Sequence, residues 1–265
     1  MTVRNWMDLT AAELAGMGGE DTVAVLPLAA VEQHGPHLPL GTDLIIGEGL
    51  LQHAMSVLSA DLPVLLLPAV QVGTSSEHLA WSGTLSLPPE LLVDVLVAQG
   101  RAVAAAGIRR LVLGNSHGGN HAAMDMAALR LRRECGMLVV KASYVRFPSP
   151  QPPLLDVTEL RHGLHGGALE TAMMLHLAPE RVNTDHLAAF RSLGEDLERT
   201  CSYLRPEGPG AFAWLAGDLH PSGVAGNAAA ADAETGGRLV AHYGGVLAAL
   251  IEDAGRFPLE RLVPV

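Results

Sequence analysis

Cysteine is scarce in this chain. Its 265 residues include two, Cys135 and Cys201, far apart and in no CxxC pair. That excludes a disulfide framework and a thiolate zinc site. Long apolar runs are also missing. The densest, residues 62–70, is nine residues long and contains Pro63 and Pro68. A membrane span needs about 20. Residues 1–20 show no basic-then-apolar leader, since Asp8, Glu13 and Glu20 fall within them. The expectation is a cytoplasmic protein with no membrane partner. Positive charge is short as well: 17 Lys and Arg against 28 Asp and Glu, a net charge of -11. Such a surface repels phosphate backbones, so no nucleic-acid partner is expected and a small-molecule substrate stays open. Charged residues make up only 17% and apolar residues 49%. That balance excludes disorder as the main state and leaves enough for a sizeable core.

At roughly 150 residues per domain the length allows one large domain or two small ones. No composition break divides it, so a single domain over residues 1–265 is expected. Strand-like runs at 22–30, 63–72, 109–114 and 137–144 alternate with helical spacing at 43–60, 88–106, 120–135, 166–177 and 232–254. Residues 195–217 suggest no clear element. Continuous apolar strands separated by helices imply an α/β protein whose parallel sheet is covered on both faces. Ligand sites in such sheets lie at the carboxyl ends of the strands.

Chemistry-bearing residues gather at those ends. After the first strand come Glu32-Gln33-His34-Gly35-Pro36-His37 and then Gly41-Thr42-Asp43. Residues i and i+2 of an extended chain share a face, so Glu32 and His34 project together. The glycines and prolines turn the chain back, and Asp43 opens a helix with Thr42 as its expected N-cap. Two carboxylates and an imidazole at one strand tip suit zinc, manganese or iron(II). The third strand ends in Gly114-Asn115-Ser116-His117-Gly118-Gly119-Asn120-His121, where His117 is the natural additional ligand and His121 reads as structural. A third cluster is His165-Gly166-Gly167-Ala168-Leu169-Glu170. In a regular helix His165 and Glu170 would lie roughly 140° apart. They share a site only if His165 sits in the glycine-flanked loop. Glu170 is then a ligand or base and His165 an acid–base group. Glu77, His78 and Trp81, in the loop after the second strand, are candidate pocket residues. Trp214 reads as core or pocket wall.

A competing pattern is present. Gly114-Asn115-Ser116-His117-Gly118 matches G-x-S-x-G between strand and helix. Ser116 would then be a nucleophile, with Asp185 or Asp218 and His220 completing a triad.

The clusters resemble those of the creatininase (creatinine amidohydrolase) family over about residues 3–255. The matching pieces are residues 32–39 with Asp43, then His117-Gly118-Gly119-Asn120, then His165-Gly166-Gly167 with Glu170-Thr171. The resemblance implies a three-layer α/β/α fold with a mostly parallel sheet. It implies a homo-oligomer, often a hexamer, and two divalent metal ions per chain, zinc with manganese or iron(II). The reaction implied is hydrolysis of a C–N bond (amide, lactam or formamide, outside peptide bonds) by water that the two metals activate. By the same resemblance Glu32 and His117 would hold one metal, His34 the other, and Asp43 would bridge them, with His165 catalytic. Creatinine-hydrolysing members carry a further ligand, a glutamate two residues after the histidine matching His117. Gly119 stands there in this chain, and Glu170 is the expected replacement. Those members also have an aromatic where Gly118 stands, and tryptophans where Val145 and Arg161 stand. Creatinine is therefore not the expected substrate, and Arg161 is expected to meet an anionic group. The missing glutamate also leaves a non-catalytic metal-binding relative as an alternative.

Overall fold

The computed structural model describes residues 3–17, 19 and 21–264. Its centre is a five-stranded, wholly parallel sheet in the order β1-β3-β2-β4-β5. The strands are β1 (Val3–Asn5), β2 (Val23–Leu28), β3 (Val64–Leu66), β4 (Arg110–Asn115) and β5 (Leu138–Ser143). The main helices are α1 (Ala11–Met17), α2 (Thr42–Val57), α3 (Pro89–Ala105), α4 (His121–Cys135), α5 (Val157–His162), α6 (Ala168–Leu177), α7 (Leu193–Thr200), α8 (Ala216–Leu219) and α9 (Ala233–Arg256). A short antiparallel pair, β6 (Ala189–Phe190) and β7 (Gly226–Asn227), lies outside the sheet.

Alternation along the strands makes the layers. Ala24, Leu26 and Leu28 of β2, with Leu111 and Leu113 of β4, pack under α3 and α4. Val23, Val25 and Val112 point the other way, against α2 and α9. Both faces are apolar because both are covered. The three-layer α/β/α arrangement expected from the sequence is the one found.

Most elements fall where periodicity places them, and the differences have local causes. The strand read over 63–72 shortens to Val64–Leu66, followed by a single bridge from Val70 to Leu28. Pro63 and Pro68 lack the N–H that a ladder needs. The helix read from 166 begins at Ala168, because Gly166 sits at φ +64. Thr42 does not cap α2. It is the first helical residue, and its hydroxyl donates to Pro39 O at 2.7 Å. The short β1, α1, α5 and α7 have too few residues for periodicity to declare them.

Connectivity places the site. From β2 the chain crosses by α2 to β3 on one side. From β3 it crosses by α3 to β4, on the other side of β2. The direction reverses between β2 and β4, which opens a crevice at their carboxyl ends. Glu32 and His34 follow β2, and His117 follows β4.

Candidate metal centre and active site

The segment after β2 is a closed loop. Glu32 N–H donates to Leu40 O at 3.0 Å, and Thr42 N–H to Pro39 O at 3.2 Å. Gly35 lies at φ +70, and a Cβ there would stand 2.1 Å from Val224, so only glycine makes this turn. The loop turns the Glu32 and His34 side chains inward and delivers Asp43 at the start of α2.

Asp43 is the middle of the centre. Its Oδ1 lies 3.6 Å from His34 Nε2, and its Oδ2 lies 3.4 Å from His117 Nδ1. Glu32 Oε2 is 3.3 Å from His117 Nε2, and Glu170 Oε2 is 3.9 Å from His34 Nε2. Two ligand groups result, Glu32–Asp43–His117 and His34–Asp43–Glu170. They share Asp43, which turns one oxygen toward each. Glu32, His34 and His165 form a third possible group.

The histidines are pre-set for ligation. His34 Nδ1 is 3.1 Å from Glu32 O, His117 Nε2 is 2.9 Å from Thr74 O, and His165 Nε2 is 2.7 Å from Gln33 O. A carbonyl only accepts, so each of these nitrogens carries the proton. That leaves His34 Nε2, His117 Nδ1 and His165 Nδ1 facing the centre as the atoms a cation would take in exchange for any proton they carry, an orientation of the kind a hydrogen-bonded outer layer sets around bound metals. The centre also holds three buried polar atoms with no hydrogen bond: Glu32 Oε2, His34 Nε2 and Asp43 Oδ2. Buried groups left so are costly unless something else satisfies them. A hard or borderline divalent cation fits this oxygen-and-imidazole set.

Glu170 is held as firmly as the histidines. Tyr144 Oη–H donates to its Oε1 at 3.2 Å, and Gly166 N–H to its Oε2 at 2.6 Å. The position two residues after His117 is closed. A Cβ on Gly119 would stand 2.4 Å from Thr74 O, 2.5 Å from His117 Nε2 and 2.6 Å from Glu77 Oε1. No glutamate fits there, and Glu170 reaches the centre from α6.

Charge is balanced tightly. Burial alone would push Glu32 up, but His117, His165 and His78 together hold it far below the usual carboxylate range. Burial would push His34 down, yet Asp43, Glu170 and Glu32 raise it to about 9. His117 rises well above the ordinary value for the same reason, burial being outweighed by Glu32 and Asp43. His165 goes the other way, lowered by burial and then by the charge on His34. Its ring lies between those of His34 and His78, with centroids 4.2 Å from each.

Above the centre lies a cavity of about 450 Å³. Glu77, His78, Gly118 and Arg161 all line it. His78 Nδ1 accepts from Gln33 Nε2 at 2.8 Å, so its protonated Nε2 faces Glu32 Oε1 at 3.4 Å. Arg161 reaches the cavity but pairs with Glu198 at 3.2 Å. Trp81 is not brought to the cavity. A Cβ on Gly217 or Gly223 would touch its ring, so it packs on the glycines of that segment. Trp214 lines the cavity instead. The serine triad does not assemble. Ser116 is buried and its hydroxyl donates to Leu28 O at 3.0 Å. No non-glycine residue among those described has positive φ, so the strained nucleophile turn is absent there. Asp218 accepts from Leu215 N–H, and His220 partners Ser222.

Spacing gave no sign of Tyr144, of Gln33 as the partner of His78 and His165, or of His37. His37 Nε2–H donates to Gly166 O at 2.9 Å and so ties down the loop that carries His165. These partners lie more than 20 residues from the groups they hold, beyond the reach of any local pattern.

A family model described as Creatininase: Creatinine amidohydrolase matches residues 7–251. A mycofactocin precursor peptide peptidase of Mycobacterium tuberculosis (strain ATCC 25618 / H37Rv) is 38% identical over 174 residues, 62% of this chain and 62% of that protein. The match thus spans a little under two thirds of the peptidase's length. The creatinine amidohydrolase of Pseudomonas putida is 31% identical over 198 residues, 69% of this chain and 73% of that one. A solved structure described as creatininase Mn shares the fold with a TM-score of 0.71 at 25% identity, over 98% of this chain and 99% of its own.

Proposed function

The chain belongs to the creatininase family, and on that premise we propose that it is a metal-dependent hydrolase that cleaves an amide bond in a peptide or peptide-like substrate rather than in creatinine. The observation that carries the metal half is Asp43, whose two oxygens face two different ligand groups. The substrate half rests on two supports. A relative at 38% identity is named as a peptide peptidase. In addition, a Cβ on Gly118 would find nothing within 4 Å, so the wall is open where creatinine-hydrolysing members carry an aromatic.

Glu32, Asp43 and His117 would hold one divalent cation. His34, Asp43 and Glu170 would hold the other, with zinc, manganese or iron(II) suited to these donors. Such a pair supplies Lewis acidity and brings the pKa of water toward neutrality. Glu32 and Asp43 stay ionised because the surrounding imidazoles hold their pKa values down. His78 Nε2 stands 3.4 Å from Glu32 Oε1, its N–H side toward that carboxylate.

His165 moves the proton. Its Nε2–H is committed to Gln33 O, so Nδ1 is the exchanging atom. Nδ1 takes a proton from the attacking water and passes it to the departing nitrogen as the C–N bond breaks. The products are a carboxylic acid and an amine. The flanking rings of His34 and His78 keep the imidazole from swinging out.

Elemental analysis of the purified chain, never exposed to chelator, tests the metal half. About two zinc, manganese or iron ions per chain are expected. No metal, and none restored by addition, would overturn it. A panel of peptides, lactams, formamides and creatinine tests the substrate half. Chelator-sensitive cleavage of a peptide amide is expected, and turnover confined to the other classes would overturn it.

A further inference from the structure

The cavity wall carries Glu77, Glu159 and Glu207 beside the centre's own carboxylates. Two arginines also line it. Arg161 is committed to Glu198. Arg146 is free: among the described residues it makes no hydrogen bond and no ion pair. It ends the short turn Tyr144–Arg146 that follows β5.

His121 lines the same cavity and lies close enough for the Arg146 charge to act on it. Its tautomer can be worked out. Asn115 Nδ2–H donates to Ser143 Oγ at 3.0 Å, and Ser143 Oγ lies 2.8 Å from His121 Nε2. Among the described residues the serine hydroxyl has no other acceptor within reach, so its hydrogen goes to His121 Nε2 while the oxygen accepts from Asn115. His121 therefore carries its own proton on Nδ1, which has no partner among the described residues. Burial, and then Arg146, pull the imidazole pKa down to about 4, so the ring is neutral at pH 7. Of the other charged side chains that act on it, Asp125 and Lys141 pair with each other, and His117 of the metal centre adds to the downward push. Gly118, three residues before His121, leaves the approach open.

One wall of the cavity thus offers an unpaired guanidinium and an unpaired N–H, the donor set that seats a carboxylate. We propose that Arg146 and His121 Nδ1–H form a carboxylate subsite, so that the enzyme selects amides bearing a free carboxylate. This rests on the amide-hydrolase reading above, and it names the substrate class. Arg146 supplies the charge, and His121 fixes the orientation of the bound group. Arg161 cannot serve in its place while Glu198 holds it.

The test uses the metal-loaded protein as purified. N-acetylglycine and N-acetylglycinamide differ only in the carboxylate, and calorimetric titration gives the ratio of their affinities. The wild type is expected to favour the acid by about tenfold or more, the worth of one charge-assisted contact. Arg146→Gln should bring the ratio to near one, and Arg146→Lys should keep part of the preference. His121→Phe should lower it less than Arg146→Gln does. A wild type with no preference overturns the subsite. So does a preference that survives Arg146→Gln, since the metal centre would then be holding the acid. The readout does not depend on turnover. A preference lost in Arg146→Gln, in a protein that hydrolyses no amide, keeps the subsite and removes the reaction.

Discussion

Gly119 stands so close to Thr74 that a Cβ on it would lie 2.4 Å from the Thr74 carbonyl oxygen. That oxygen is also the acceptor for His117 Nε2–H, so neither partner can move without disturbing the centre. Gly119→Ala is therefore expected to destabilise the protein by about 1–3 kcal/mol, the usual cost of overpacking. Gly119→Glu, which writes back the creatinine-type ligand, should lower metal content rather than raise it. Denaturant melts and elemental analysis of the two variants check this. A Gly119→Glu protein with full stability and normal metal content would contradict the geometry.

Glu170 should carry the second cation. Glu170→Gln is expected to reduce the metal content from about two ions per chain to about one, leaving the Glu32–Asp43–His117 group filled. Asp43→Asn should empty both, since each group uses one of its oxygens. Elemental analysis distinguishes the two variants.

Tyr144 acts through Glu170. Tyr144→Phe removes the hydroxyl that donates to Glu170 Oε1 and keeps the ring in the core. Loss of such an outer hydrogen bond typically weakens metal affinity by about 10–100-fold. The weakening should be confined to one of the two cations, read by competition with a metal indicator.

Metal uptake should depend on pH. Burial and its carboxylate neighbours leave His34 with a pKa of about 9. At pH 7 the metal-free protein therefore carries a proton on His34 that a cation must displace. Apparent affinity is expected to rise with pH between 6 and about 9, with proton release on binding in weakly buffered solution. A flat affinity over that range would remove the effect.

Stability should fall in mild acid for a separate reason. Burial, foremost, lowers His37 to about 4, while the unfolded chain takes up that proton near pH 6.5. Between those values the unfolded state binds more protons, so stability is lost as pH falls from about 6.5 toward 4, at up to about 1.4 kcal/mol per pH unit. His78 and His121, lowered to about 3 and about 4, mainly by burial, act in the same direction. Melting temperatures of the metal-saturated protein from pH 7.5 to 5 should show the slope, and His37→Gln should make it shallower.

What could be read from the residues alone was local. Glu32, His34 and Asp43 lie within one loop and one helix start, so their spacing already puts them together. His117 ends an apolar strand, and His165 sits among glycines that keep it out of a helix. The alternation of apolar strands and helices likewise determines the layers, because each strand must bury both faces. Tertiary packing decided the rest. It brings Glu170 from α6 to 3.9 Å from His34, and it closes the space beside Gly119 with Thr74 O and Glu77. It sets Tyr144 on Glu170, Gln33 between His78 and His165, and Ser143 against His121. It turns Trp81 away from the cavity and points the Ser116 hydroxyl at Leu28. Hydrogen bonds between strand ends far apart in the chain depend on how the sheet is ordered, and the β2–β4 reversal that gathers them exists only in the folded molecule.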